Sequence, residues 1–306
     1  MIEARGLTKR YGQTLAVDDL SFTVRPGVVT GFLGPNGAGK TTTMRLILGL
    51  DQPTAGTVTV DGRSHRQAAS PMREVGALID ARAAHGGRSA RNHLLCLAQT
   101  NGVSRRRVAE VLDIVGLSGV AGKRSKGFSL GMSQRLGIAA ALLGDPQVLM
   151  FDEPVNGLDP EGIVWIRNLM RSLAAEGRVV FVSSHLMSEM ENTADHLIVV
   201  GRGRLIADCG MAEFTGRSSS QAVMVRTPSP DMLARAVTAA GGSVTREPDL
   251  LRVGGLSEEQ VGDIALASGV AVHHLAAARV SLEQAFMELT ADSVDYRAAL
   301  PVSQEA

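Results

Sequence analysis

Short apolar runs alternate along this chain with segments in which apolar side chains recur every three or four residues. Strands are predicted at 21–24 (SFTV) and 28–33 (VVTGFL), the second feeding a Gly-rich turn and then a helix over 41–50. An alternating run at 57–62 reads as a strand closed by Asp61-Gly62, a turn pair. From 89 to 116 the period is helical, with Leu94, Leu95 and Ala98, then Val108, Val111, Leu112 and Val115, at helical spacing. Residues 146–154 (PQVLMFDEP) carry a continuous apolar stretch, the pattern of a strand buried on both faces. A helix is predicted from about Pro160 to Ala175, followed by another buried strand at 178–184. This alternation predicts an α/β layered domain.

Small polar residues break the pattern at 216–222, which reads as a linker. It divides an N-terminal domain, 1–215, from a small α+β domain, 223–291. The small domain reads as strand (AVMVRT), helix (230–241), strand (243–255), helix (257–269) and strand (270–275), closed by a helix at 281–290. Residues 292–306 read as a loosely ordered tail.

Composition narrows the function classes. Acidic and basic residues balance at 31 each over 306 residues, so net charge gives no general attraction to nucleic acid. Nearly all the bases are arginine; the lysines are Lys9, Lys40, Lys123 and Lys126, so a lysine in a special position is informative. Cys96 and Cys209 have no metal-type spacing and read as reduced thiols. No apolar stretch is long enough for a membrane-spanning helix, and the first residues lack the apolar core of a signal peptide. The expectation is a cytoplasmic chain that reaches a membrane through a partner.

The strongest local signal is GPNGAGKT, residues 34–41, which fits G-x-x-x-x-G-K-[ST]. In Gly34, Pro35, Asn36, Gly37, Ala38 and Gly39 the backbone can form a nest whose N–H groups face a phosphate. Lys40 can reach the β- and γ-oxygens, the Thr41 hydroxyl can ligate Mg²⁺, and Thr42 follows in the first helical turn. The helix start adds a positive dipole end. About 110 residues later, VLMFDE delivers Asp152 and Glu153 to the end of a buried strand. Asp152 suits holding Mg²⁺ through water, and Glu153 suits orienting or deprotonating an attacking water. Alone, these two motifs indicate a phosphate-loop nucleotidase.

Further motifs narrow that reading. Tyr11, GPNGAGKT, FSLGMSQR (128–135), VLMFDEP, NGLD (156–159) and SSH (183–185) occur in the order and near the spacing of the ATP-binding subunit of ABC transporters, which residues 1–215 resemble. The resemblance implies a phosphate-loop ATPase fold with a helical subdomain, ATP and Mg²⁺ as ligands, and two copies sandwiching two ATP molecules head to tail. It implies that Tyr11 stacks on the adenine and that His185 contacts the γ-phosphate and helps hold the water and Glu153. Asn156, Gly157, Leu158 and Asp159 would form a dimer-interface loop.

Two departures from the family pattern stand out. The usual signature L-S-G-G-Q is here Phe128, Ser129, Leu130, Gly131, Met132; Ser129 and Gly131 are kept, and an amide is lost at Met132. By resemblance this segment faces the γ-phosphate held by the other copy. The run EVGALID places Asp80 where the family carries a glutamine near Mg²⁺. Asp80 can ligate Mg²⁺ or accept from water, but it cannot donate as an amide does.

The SLGM form, the GALID segment and the SLEQAFMELT ending resemble the bacterial branch that exports bacitracin, daunorubicin and related antibiotics or lipids. That implies a separate integral-membrane permease partner, contacts to it from about residues 80–105, and a position on the cytoplasmic face of the membrane. An ABC ATPase acting on ribosomes or DNA is the alternative. Such relatives carry two cassettes or a long coiled-coil insertion, whereas only about 87 residues lie between Thr41 and Ser129 here. A small-molecule kinase would leave the signature, NGLD and SSH without a purpose.

Overall fold

A computed structural model describes residues 1–216, 222–277 and 281–290. The strands are β1 (Ile2–Tyr11), β2 (Thr14–Val24), β3 (Val29–Leu33), β4 (Ala55–Val60), β5 (Val75–Leu78), β6 (Val148–Asp152), β7 (Val179–Ser184), β8 (His196–Gly201), β9 (Arg204–Gly210), β10 (Ala222–Arg226), β11 (Ser243–Arg246), β12 (Leu251–Gly254) and β13 (His274–Ala277). The helices are α1 (Lys40–Ile47), α2 (Pro71–Glu74), α3 (Ala90–Thr100), α4 (Arg105–Ile114), α5 (Leu130–Leu142), α6 (Pro160–Ala175), α7 (Met187–Glu191), α8 (Met211–Gly216), α9 (Pro230–Ala239), α10 (Glu258–Ala267) and α11 (Leu282–Thr290). They form two compact units, Met1–Met211 and Ala212–Leu289.

In the first unit a six-stranded sheet runs in the order β5-β6-β7-β3-β8-β9. All its neighbours pair in parallel except β8 and β9, which are antiparallel. The continuous apolar strands predicted at 28–33, 146–154 and 178–184 become its three central members, β3, β6 and β7, buried almost throughout. Their adjacency matters for chemistry. Crevices at the carboxyl ends of parallel strands are where such sheets bind ligands, and here three chemistry-bearing strand ends are neighbours.

A three-stranded antiparallel sheet, β2-β1-β4, packs over this layer. Phe22 of the small sheet meets Phe32 and Phe181 of the large one, each with ring centroids 5.9 Å away, and the latter two lie 5.0 Å apart. Burying each ring stabilises the fold by roughly 1.5–3 kcal/mol. Helix α1 adds Met44, Leu46 and Ile47 to the same core. Helix α5 packs on β5 and β6, and α6 on β7 and β3. Both begin at side-chain caps. Ser129 Oγ accepts from the Met132 N–H at 3.2 Å, and Asp159 Oδ1 accepts from the Gly162 N–H at 3.0 Å, with Pro160 in the first turn.

The second unit is a four-stranded antiparallel sheet, order β11-β12-β10-β13, carrying α9 and α10 on one face. Leu233, Val237, Val261 and Ala265 of the helices pack on Val223, Val225, Leu251 and Val253 of the strands. The order along the chain is β-α-β-β-α-β, a split β-α-β arrangement, so the single strand expected over 243–255 is in fact a hairpin. Its turn is closed by reciprocal backbone bonds between Glu247 and Leu250 across Pro248-Asp249. The last strand of the unit begins at His274, further along than the expected 270–275. The boundary segment 216–222 falls mostly outside the described residues, and the tail 292–306 lies outside them entirely.

Candidate functional site

The loop after β3 turns sharply because glycine stands where a side chain would collide. Gly39 adopts φ 95°, and a Cβ there would lie 2.4 Å from the Ala16 carbonyl oxygen. A Cβ on Gly34 would lie 2.4 Å from the Val200 carbonyl oxygen. The turn delivers Lys40 to the first position of α1. Its Nζ donates to the carbonyl oxygens of Gly34 (2.6 Å) and Pro35 (3.2 Å), so the ammonium is held inside the loop it belongs to. Burial pushes the Lys40 pKa below the ordinary lysine value, and the nearby Glu153 and Asp152 oppose that shift.

Parallel pairing of β6 with β7 sets the next layer. Asp152 lies opposite Ser183 in the register, and the Ser183 hydroxyl donates to Asp152 Oδ1. The other carboxylate oxygen, Oδ2, accepts from Thr41 Oγ1 at 2.6 Å. A hydroxyl and a carboxylate are hard oxygen donors and suit Mg²⁺. Asp80, two residues past the end of β5, lines the same cavity and caps its own turn by accepting from the Arg82 N–H at 2.8 Å. Thr41, Asp152 and Asp80 therefore fit a divalent cation by donor chemistry.

Glu153 follows Asp152 in a left-handed conformation, φ 50°, which costs a non-glycine residue roughly 1–3 kcal/mol. Backbone bonds hold it there. Its N–H donates to both the carbonyl and the hydroxyl oxygen of Ser183, at 3.2 and 3.1 Å. Its carbonyl oxygen accepts from the Asn156 N–H (3.2 Å) and from Gln134 Nε2 (3.0 Å). From this kink the carboxylate reaches His185, with Oε2 2.8 Å from His185 Nδ1. With its proton on Nδ1, the imidazole donates to the carboxylate and orients it.

A cavity of about 550 Å³ has a wall that runs from Asn36 to Thr42, through Asp80, to Asp152, Glu153 and Asn156, and His185 stands behind Glu153 without lining it. Leu130 and Gln134 of α5 complete it. The phosphate loop, both carboxylates and Asp80 are thus brought together. Tyr11 stands apart from this wall: its hydroxyl donates to Asp51 Oδ2 at 2.8 Å, and Lys9 Nζ sits 4.7 Å from the ring centroid. Ser129 is exposed at the start of α5 and is engaged as its cap. Met132 contributes its backbone N–H to that cap, so losing a side-chain amide there leaves the helix start intact. Gly131 touches the NGLD loop of its own chain, because a Cβ on it would lie 2.7 Å from the Gly157 carbonyl oxygen. Asp159 serves α6 as its cap.

Ser183 and Gln134 carry no assigned role in the sequence reading. Ser183 stood inside the SSH run, facing inward on a buried strand beside a carboxylate-bearing one. The register that pairs it with Asp152 is a tertiary fact that a single chain pattern does not carry.

A model of the ABC transporter ATP-binding family matches residues 17–156. A model of a AAA domain, described as a putative AbiEii toxin of a type IV toxin–antitoxin system, matches residues 124–191. A domain of unknown function matches residues 221–283. A bacitracin transport ATP-binding protein from Bacillus licheniformis is 43% identical over 211 residues, 68% of this chain and 69% of that protein. A lantibiotic transport ATP-binding protein from Streptococcus pyogenes is 35% identical over 208 residues, 68% of this chain and 90% of that protein. Among solved structures, an ATP-binding subunit of an ABC transporter superposes with a TM-score of 0.65 at 26% identity, covering 71% of this chain and 92% of that one. A dimeric ATP-binding cassette in a post-hydrolysis state with ADP and phosphate shares the fold, with a TM-score of 0.63 at 22% identity over 69% of this chain and 99% of that one.

Proposed function

This chain belongs to the ATP-binding subunits of ABC transporters, and from that premise we propose that it powers export of an antibiotic or lipid-like compound through a separate membrane permease. It hydrolyses ATP. The observation that carries the chemistry is the convergence of Lys40, Thr41, Asp152 and Glu153, with the start of α5, on one cavity. No helix among the described residues is long and apolar enough to cross a membrane.

In this reading the backbone of Gly34–Gly39 and the Lys40 ammonium bind the β- and γ-phosphates, and Tyr11 takes the adenine. Thr41 and Asp152, with Asp80 close by, would hold Mg²⁺, which supplies charge neutralisation on the phosphate oxygens. Glu153 accepts a proton from the attacking water as the bond between the γ-phosphorus and the bridging oxygen breaks. His185 fixes the carboxylate and reaches towards the γ-phosphate. Ser129, Leu130, Gly131 and Met132 present a capped helix start to the nucleotide of a second copy, and Asn156–Asp159 line the seam between copies. Residues 1–215 act as the ATPase, and 223–291 as a separate domain.

Chelation supplies one test. Excess EDTA is expected to lower hydrolysis by at least about 100-fold, with recovery on adding Mg²⁺. Full hydrolysis in EDTA would remove the ion from the site. The transport reading is tested by affinity capture of the tagged chain from detergent-solubilised membranes, then ATPase assays on the complex with bacitracin as probe. We expect a polytopic membrane protein in the complex and at least a twofold stimulation. Recovery of ribosomes or DNA with no membrane protein would overturn it.

A further inference from the structure

The kinked backbone of Glu153 is tied to the helix that begins at Ser129. Gln134 is almost fully buried, at 3% exposure, and its side-chain Nε2 donates to the Glu153 carbonyl oxygen, 3.0 Å away. That oxygen also closes the turn to Asn156. One helical turn earlier, Gly131 approaches the same segment, where a Cβ would come within 2.7 Å of the Gly157 carbonyl oxygen. Gly131 and Gln134 are three residues apart, so they share one face of α5. That face bears on the 153–157 segment at two points, and Leu130 adds a third, since a Cβ on Gly157 would lie 2.4 Å from its side chain.

We infer that Gln134 is a positioning residue for hydrolysis: its amide holds Glu153 in the left-handed conformation that aims the carboxylate, and it passes any shift of the α5 start to Glu153. This rests on the reading of Glu153 as the base and of α5 as the surface that meets the partner copy's nucleotide. The consequence is specific. The segment of one copy that engages its partner's ATP is mechanically joined to the group that activates water in its own site. Occupancy of one site would then bear on the alignment of the other, with the Gln134 amide as the direct bond to Glu153.

The argument needs a donor at this position. The Glu153 backbone carbonyl can only accept, and without the amide it keeps only its bond from Asn156. A strained left-handed residue held by fewer bonds samples other conformations, and displacing a reacting group by about 1 Å can cost on the order of 100-fold in rate. Gln134 shares the cavity wall, but the Lys40 ammonium bonds to Gly34 and Pro35 and the Gln134 amide to Glu153, so the amide is not among the groups that hold the phosphate loop.

The experiment compares Gln134→Met, Gln134→His and Glu153→Gln with the parent chain. Methionine keeps the length and apolar stem but has no N–H. Histidine places Nε2 the same number of bonds from the backbone as the glutamine amide and can donate. Gln134→Met is expected to lower kcat by about 10- to 100-fold with KM and ATP affinity within about twofold, and Gln134→His to recover most of the rate. Gln134→Met with kcat within about threefold of the parent would overturn the inference, as would a histidine variant as slow as the methionine one. If Gln134→Met melts early, Gln134→Leu replaces it, with hydrogen exchange over 152–158 read beside the rate. Faster exchange of the Glu153 and Asn156 amides supports the inference, and unchanged exchange contradicts it. Glu153→Gln separates the two levels. If that variant hydrolyses ATP normally the base assignment itself fails, whereas a dead Glu153→Gln beside an active Gln134→Met removes only the role of Gln134.

Discussion

Replacing Glu153 with Gln is expected to lower ATP turnover by about 100- to 10,000-fold while leaving ATP binding intact. The substitution is close to isosteric and spares every bond that holds the kink. The backbone N–H still donates to Ser183, and the carbonyl still accepts from Asn156 and Gln134. What it removes is a carboxylate able to take a proton. The cavity stays intact, because Lys40 and Asp152 keep their own partners. Nucleotide that binds the closed form better than the open form stabilises it by mass action, so an unhydrolysed ATP holds two copies together. Phosphate release read beside light scattering should show a dead enzyme that dimerises in ATP. Turnover within about threefold of the parent would show that another group activates the water.

The second large effect concerns Gly131. Gly131→Val is expected to cut hydrolysis by about 100-fold while the isolated chain binds ATP with unchanged affinity. Two causes act together. Bulk at this position covers the start of α5, which is the proposed contact with the partner's nucleotide. It also drives a Cβ towards the Gly157 carbonyl oxygen, 2.7 Å away, and backbone there cannot yield cheaply. Nothing about Gly131 touches the phosphate loop, so loss of ATP affinity in the monomer would contradict this separation of roles. Unchanged hydrolysis would take the α5 start out of the site.

The legible parts of this molecule are those whose meaning is local. GPNGAGKT specifies its own turn, because Gly37 and Gly39 adopt left-handed backbone angles, φ 81° and 95°, that glycine takes without a Cβ clash, and the helix follows at once. The apolar run ending at Asp152 and Glu153 was legible as a buried strand, since both faces are covered. Less was legible where meaning depends on register. Ser183 matters because β7 pairs with β6 at one particular offset, and Gln134 because α5 turns one face towards the 153–157 segment. In the second unit, the strand-like run over 243–255 concealed a hairpin because Glu247, Pro248, Asp249 and Leu250 sit between two alternating stretches. Pro-Asp is a turn pair, so the break was present as a signal and was outweighed by the flanking periodicity.

The α5 start and the NGLD loop also change in meaning once seen together. Each is expected to meet a partner copy, yet within one chain they already touch through Gly131 and Gly157. The surface that would close on a partner's ATP is therefore continuous with the turn that carries Glu153.

The central claim is that each ATP is completed head to tail by a second copy, and a cross-link tests it most directly. Asn36 in the phosphate loop and Ser129 at the α5 start are both exposed, so each accepts a cysteine. In a Cys96→Ser, Glu153→Gln background, one preparation carries Asn36→Cys and another Ser129→Cys; Cys209 is buried. A short thiol cross-linker added to the mixture should join unlike copies, position 36 to position 129, and only when ATP is present. Cross-links between like copies, or joining that ignores ATP, would contradict the head-to-tail site.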